Sequence, residues 1–341
     1  MHLRNNFHKI FLYLLTTCIG VNLFSCLDHS KQPFDIQGHR GARGLAPENT
    51  IAGFRMAIHS GVTTLEFDIG VTKDHIPVIF HDTSINSDIC LNHDGSQILT
   101  NSLNHPPYIK DLTLSEIKLF DCGTLNPDIS RFPEPPRKNF PAEKIPTLQE
   151  LFDLLGEYPE KNIWCNIELK TNPNYSETLP IHDFVDTVLD VIETNDRVSR
   201  VNIQSFQWDI LEYVRTQQPC IVLAGLLGQS SYIAVNDSIS SPWLNGIHFD
   251  QVGGTSLAVL LEAKHYIDIF SPSWKLVTPS EPLFLGSSIH EIQEAGFKVI
   301  PWTVNKTHIM KQLIVEGVDG IITDYPDSLK LVLDELEIPS K

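Results

Sequence analysis

From residue 36 onward, short apolar runs alternate with stretches that carry apolar residues at helical spacing, the pattern of repeated βα units around a parallel sheet. Eight runs read as principal strands: Ile36–Gly38, Leu65–Val71, Ile163–Leu169, Val201–Gln204, Ile221–Gly225, Ile267–Pro272, Val299–Thr303 and Gly320–Thr323. Between them, Thr50–Ser60 stops on Gly61, Ile181–Thr194 repeats its apolar residues at helical spacing, and Lys306–Glu316 stops on Gly317. A glycine just past the last periodic residue is an ordinary helix stop. Eight strands alternating with helices predict an α/β fold, a closed (β/α)₈ TIM barrel; an open doubly wound sheet is the other arrangement that the pattern allows.

The alternation fails once. After the strand-like run Pro77–Phe80, residues 83–146 are rich in Asn, Pro and Asp, and Leu114–Phe120 is their one helix-like stretch. So long a connection is not a simple loop; it is predicted to be an inserted subdomain overhanging one mouth of the barrel. At the other end of the chain, Arg4, His8 and Lys9 precede a largely apolar run, Ile10 to Phe24, that is too short for a confident membrane span. Residues 1–26 read as a signal segment and 27–35 as a short linker, leaving 36–336 for the barrel. The run ends in Leu23-Phe24-Ser25-Cys26, which resembles the lipobox of bacterial lipoproteins apart from Phe24, where a small residue is usual. Cys26 is therefore the expected lipid-bearing residue of a periplasmic or outer-membrane and cell-surface lipoprotein. An uncleaved anchor or a plain secretory signal also places the domain outside the cytoplasm.

Composition narrows the function. Over 341 residues, 42% apolar and 20% charged suit a folded enzyme-sized domain. The 25 basic against 42 acidic residues, −17 net, argue against nucleic acid or an anionic membrane surface as a partner, since both need basic patches. Of the six cysteines, Cys18 and Cys26 lie in the signal segment, Cys165 sits in an apolar run, and no CxxC spacing or Cys/His pairing suggests zinc. Cys90 and Cys122 flank an irregular segment with few apolar residues to hold it, and an oxidising compartment would let them bridge.

Candidate chemistry gathers at strand ends. In Leu65-Glu66-Phe67-Asp68-Ile69, strand periodicity puts Glu66 and Asp68 on one face and the three apolar residues on the other. Two unpaired buried carboxylates would cost roughly several kcal/mol, so a cation is expected between them. Ile167-Glu168-Leu169-Lys170 repeats the pattern. Three carboxylates without thiolates favour a hard ion, Ca²⁺ or Mg²⁺; surface salt bridges at strand ends are the competing reading. His39-Arg40 and His81-Asp82 each sit where an extended run gives way to a loop, and two imidazoles there suit acid and base roles. His59, His290 and His308, on predicted helices, carry no such signal.

Gly38-His39-Arg40-Gly41, Pro47-Glu48-Asn49-Thr50, Leu65-Glu66-Phe67-Asp68 and Phe80-His81-Asp82 together resemble the N-terminal signature of the glycerophosphodiester phosphodiesterase family. Ile167-Glu168-Leu169-Lys170, Gln204-Ser205-Phe206, Pro301-Trp302-Thr303-Val304-Asn305 and Asp319-Gly320-Ile321-Ile322-Thr323-Asp324 extend the resemblance over residues 36 to 334. The one departure, Ile69-Gly70-Val71 after Asp68, concerns packing.

The resemblance implies one divalent ion, Ca²⁺ or Mg²⁺, on Glu66, Asp68 and Glu168, and acid–base catalysis by His39 and His81. It further implies phosphate contacts from Arg40 and Lys170, a glycerol-pocket wall at Trp302 and an open role for Glu48 near the site; a core tryptophan is the other reading of Trp302. The implied reaction is hydrolysis of a small glycerophosphodiester to glycerol 3-phosphate and an alcohol, with membrane association only through an N-terminal lipid. A phospholipase-like action on intact lipid, or a binding lipoprotein that uses the fold as a scaffold, are the alternatives.

Overall fold

The computed structural model describes residues 33–99, 106–174, 176–232 and 241–340; the predicted signal segment, with Cys26, lies outside them. Eight parallel strands follow the chain around a ring: β1 (Asp35–Gly38), β2 (Thr64–Val71), β4 (Trp164–Leu169), β5 (Val201–Ser205), β6 (Val222–Leu227), β7 (Ile269–Pro272), β8 (Lys298–Val299) and β9 (Gly320–Thr323). The ladder runs β8-β7-β6-β5-β4-β2-β1-β9. At the seam, Asp319 N donates to Val299 O at 2.9 Å and Ile322 N to Pro301 O at 3.0 Å. A doubly wound sheet reverses its strand order at a switch point, and this one does not. The (β/α)₈ barrel is thus the fold.

β8 is shorter than the apolar run Val299–Thr303 suggested, because Pro301 has no N–H to give. Ile300 N and Trp302 N still donate to Phe270 O and Pro272 O beside β7.

Alternation along β2 separates two environments. Leu65, Phe67 and Ile69 pack outward under the helices, with Phe67 edge-on to Phe54 of helix Ile51–His59 at 5.7 Å between ring centroids. Glu66 and Asp68 point inward. The barrel interior is divided: Ala224, Ile269, Ile300 and Ile322, from the β6 to β9 side, form an apolar cluster, while Gln37, Glu66, Asn166 and Gln204 hydrogen-bond to one another on the β1 to β5 side.

The run Pro77–Phe80 folds back rather than joining the ring. Its strand β3 (Pro77–Ile79) pairs antiparallel with β2, Ile69 opposite Ile79. Phe80 N then donates to Asp68 O at 2.9 Å, which sets His81 beside the inward carboxylates.

The segment that follows has a core of its own: Val78, Phe80, Ile85, Ile98, Ile109, Ile117 and Ile145 pack around a Cys90–Cys122 disulfide. A cross-link of 32 residues' separation restricts the unfolded chain by about 2–4 kcal/mol. Helix Leu114–Ile117 is one turn, shorter than the stretch to Phe120 suggested, and a Thr113/Glu116 capping box starts it. Among the described residues, Cys165, buried in β4, and the exposed Cys220 are free.

Candidate active site

The site begins in the turn after β1. Gly38 and Gly41 let the backbone double back: a Cβ on Gly38 would stand 2.1 Å from Gly41 O, and Gly41 has φ +86°. Arg40 between them takes φ 49°, a left-handed conformation rare for arginine and held here by its surroundings. The turn aims Arg40 N at Glu66 Oε2, 2.9 Å away. The Pro47–Thr50 loop is closed by Thr50, whose hydroxyl donates to Pro47 O and accepts from Gly53 N, capping the next helix. That cap presents Asn49 and Glu48 inward: Asn49 Nδ2 donates to Asp68 Oδ2 at 2.9 Å, and Glu48 pairs with Arg40 Nη1 at 2.6 Å and Arg43 Nε at 2.5 Å.

Glu66, Asp68 and Glu168 offer oxygens that all lie within 4.8 Å of one another, and they are only 2%, 1% and 7% exposed. Surface salt bridges are therefore not their role. Lys170 Nζ lies 2.7 Å from Glu168 Oε1 and 3.4 Å from Asp68 Oδ1. Burial alone would raise Asp68, but Lys170, His81 and Arg40 hold it well below the usual carboxylate range. Burial and the neighbouring carboxylates push Glu66 well up, and burial raises Glu168 to about 7 despite Lys170. Three buried acids this close, two of them resisting ionisation, fit a hard divalent cation, which would supply the missing positive charge.

Each loop histidine is held by a carboxylate on Nδ1. His39 Nδ1 stands 2.6 Å from Asp324 Oδ1, and His81 Nδ1 stands 2.7 Å from Asp82 Oδ1. Burial pushes Asp324 up, yet His39 and Asn305 keep it far below the ordinary range, so it is ionised and His39 Nδ1 must donate. That leaves Nε2 of His39 for chemistry, and the Asp82 contact does the same for His81. Burial lowers both imidazoles, partly opposed by Asp324 at His39 and by Asp68 at His81. Asn305 Nδ2 and Arg131 Nη2 donate to Asp324 Oδ2 at 2.5 and 3.3 Å, and Asn86 Nδ2 donates to Asp82 Oδ2 at 2.7 Å.

His39, Arg40, Glu66, His81, Glu168, Lys170 and Trp302 line one cavity of about 250 Å³. Trp302 anchors its Nε1 to Ser271 O at 2.8 Å and meets Phe206 edge-on at 5.4 Å, so it is a wall and not only core. A second cavity of about 480 Å³ shares His81, Glu168, Lys170 and Phe206 with the first, and Asp82, Thr83, Ser84, Thr171, Glu177 and Trp243 line it further. Trp302 and His39 line only the smaller one.

The histidine, arginine, lysine and tryptophan positions singled out from the sequence converge here with Glu66 and Glu168, and Asp68 lies within 4.8 Å of both acids. Asp324, Asn49 and Gln204 lie within the family-like motifs but showed no role of their own in the sequence, and neither did Asp82 beside His81. Asp324 is 285 residues from His39, so only its place at the end of a strand hinted at the site. Arg131, which reaches the cavity from the irregular segment, carried no signal at all.

A sequence model of the glycerophosphoryl diester phosphodiesterase family matches residues 39–328. A glycerophosphodiester phosphodiesterase from Caldanaerobacter subterraneus subsp. tengcongensis is 30% identical over 295 residues, covering 85% of this chain and 94% of the relative. Among solved structures, a Silicibacter pomeroyi protein assigned as a glycerophosphoryl diester phosphodiesterase has a TM-score of 0.74 at 27% identity, covering 91% of this chain and 97% of its own. An Oleispira antarctica phosphodiesterase, solved with the product sn-glycerol-3-phosphate, has a TM-score of 0.61 at 21% identity, with 89% and 97% covered. The chain belongs to the glycerophosphoryl diester phosphodiesterase family and is a phosphoric diester hydrolase.

Proposed function

We propose that this protein hydrolyses a water-soluble glycerophosphodiester to glycerol 3-phosphate and an alcohol, with Ca²⁺ or Mg²⁺ on Glu66, Asp68 and Glu168. The observation that carries this is the convergence, on one small cavity, of two carboxylate-held histidines with Glu66 and Glu168, whose carboxylates lie within 4.8 Å of each other and of Asp68. When bound, the ion supplies positive charge against the phosphate oxygens. Arg40 Nε is buried with no hydrogen-bond partner among the described residues, 3.5 Å from Asp68 Oδ2, and with Lys170 it suits an anionic phosphate. The sn-glycerol-3-phosphate held by the Oleispira relative has the shape of the expected product.

In the step that the residues support, the glycerol hydroxyl beside the ester oxygen attacks phosphorus, and its proton passes to Nε2 of His39. The bond from phosphorus to the alcohol oxygen breaks, and Nε2 of His81 protonates that oxygen. Water then opens the cyclic phosphate with the two histidines reversed, giving glycerol 3-phosphate. His81 takes the leaving side because it alone of the pair lines the larger cavity, where the alcohol would sit. Asp82, Glu177 and the Thr83, Ser84 and Thr171 hydroxyls stand beside Phe206 and Trp243 in that cavity, a lining that suits a polar or cationic alcohol and favours the soluble diester over intact lipid.

Release of glycerol 3-phosphate by the purified domain, with and without a chelator, tests the reading. Metal-dependent release is expected, and an analogue whose vicinal hydroxyl is replaced by hydrogen is expected to be almost inert. Chelator-insensitive turnover would remove the metal, and an equal rate on the deoxy analogue would mean direct attack by water.

We further propose that the barrel domain, 36–336 with 83–146 inserted, works outside the cytoplasm as an exported lipoprotein. The apolar leader and the Cys90–Cys122 disulfide support this. Wild type is expected in the detergent phase and Cys26→Ala in the aqueous phase; aqueous partitioning of both would rule out a lipid on Cys26.

A further inference from the structure

We propose that Asn166 is a positioning residue that fixes the amide of Gln204 and, through it, orients Glu66 to receive the metal. This rests on the metal assignment above. Asn166 is a polar residue of the strand Trp164–Leu169, two positions before Glu168, faces the barrel interior and is 2% exposed. Nothing in the reaction uses it directly.

The chain of bonds has a fixed direction. Asn166 Nδ2 gives one hydrogen to Gln37 Oε1 at 2.8 Å and the other to Gln204 Oε1 at 2.9 Å, while Asn166 Oδ1 is buried with no hydrogen-bond partner among the described residues. With its Oε1 committed, Gln204 can present only Nε2 on the other side, and it donates to Glu66 Oε1 at 2.7 Å. Turning that amide over would set two NH₂ groups face to face and leave Glu66 against a carbonyl oxygen. Arg40 N holds the other oxygen, Glu66 Oε2, so the carboxylate is clamped at both ends while each oxygen keeps a free lone pair. The opposite arm ends on a second buried acid: Gln37 Nε2 donates to Asp35 Oδ2 at 3.1 Å, and Thr63 and Thr64 hydroxyls donate to Asp35 Oδ1 at 2.6 and 2.7 Å. Asn166 therefore ties the metal ligand to an acid anchored at the start of β1. Partners that orient a metal ligand in this way are typically worth about 10–100-fold in affinity.

The test is a cycle of Asn166→Leu, Gln204→Met and the double variant, each titrated calorimetrically with Ca²⁺ and with Mg²⁺ as the intact protein and followed by thermal unfolding in chelator. Each single variant is expected to weaken the metal by roughly 10–100-fold. The double is expected to bind no more weakly than Gln204→Met alone, because Asn166 acts only through that amide. Should the leucine variant not fold, Asn166→Ser, which removes the second hydrogen with less change in polarity, takes its place in the cycle. Wild-type affinity in the Asn166 variant, or losses that simply multiply in the double, would overturn the proposal. Failure of the wild type to bind either ion would overturn the metal assignment and this proposal together.

Discussion

Glu168→Gln is expected to weaken Ca²⁺ or Mg²⁺ binding by at least about 100-fold and to remove most hydrolysis, with Glu66→Gln and Asp68→Asn giving losses of similar size. Each exchange keeps the side chain's volume and deletes a charged oxygen from a cluster whose members lie within 4.8 Å. Calorimetric titration beside the glycerol 3-phosphate assay reads both effects, and undiminished affinity in all three variants would sink the assignment. The pH dependence follows from the same crowding. Burial holds the Glu168 carboxyl near 7 in the metal-free protein, and the ion binds the carboxylate, so protons compete with it. Affinity should fall as pH drops through about 7, where Glu168 takes up its proton, with protons released on binding near pH 6.

Stability in chelator should show the opposite sign. A carboxyl whose folded pKa of about 7 exceeds the ordinary 4.5 favours the folded state while protonated, and that contribution is lost as pH rises from about 4.5 to about 7. Glu168→Gln removes Glu168's share of the dependence and leaves the share of Glu66, whose carboxyl is also pushed well up. At pH 8 the metal-free variant is therefore expected to melt no lower than wild type, although it is far less active; stability and function trade against each other at such a site.

Asp324→Asn is expected to lower kcat by roughly 10²–10⁴-fold while leaving metal affinity unchanged, because Asp324 holds His39 and touches none of the three ligand acids. An ionised carboxylate can only accept, so it commits Nδ1 of His39 to donating and frees Nε2. An amide in its place brings an NH₂ group that must face either the imidazole or Asn305, and the ring loses its fixed tautomer. Asp324 also raises His39 against the lowering caused by burial. Its loss should drop the imidazole further, and a group that acts as a base in its neutral form loses activity as pH falls through its pKa. The acidic limb of the kcat/KM profile should thus move to lower pH in the variant, on a much reduced plateau. A rate within a few-fold of wild type would show that the contact is structural only.

The strand period made Glu66 and Asp68 legible as a pair on one face, and the same two-residue step linked Glu168 with Lys170. His39 was legible because a barrel's chemistry gathers at strand ends, whereas His81 follows β3, which folds back from the ring, and was legible only as a histidine closing an extended run. The pairing of Cys90 with Cys122 followed from a segment with few apolar residues, and the structure forms that bond. Neither the length of β8 nor the last turn predicted for Leu114–Phe120 could be read as well, since both depend on which backbone groups find partners: Pro301 has no donor, and the helix stops after one capped turn.

What the sequence determined by itself is local: the alternation that makes eight strands, the faces on which their acids lie, and the glycine-bracketed turn that carries His39 and Arg40. Those features come from dihedral preferences and side-chain periodicity, which act over a few residues. Closure of the barrel decided the rest. Only the ring brings Asp324 beside His39 across 285 residues and Gln204 beside Glu66 across 138, and only the packing of an irregular segment on the barrel delivers Arg131 to Asp324. Periodicity says which way a side chain points, but the depth at which two strands stand in register, and so which carboxylates meet, is set by the packing and stagger of the closed sheet as a whole.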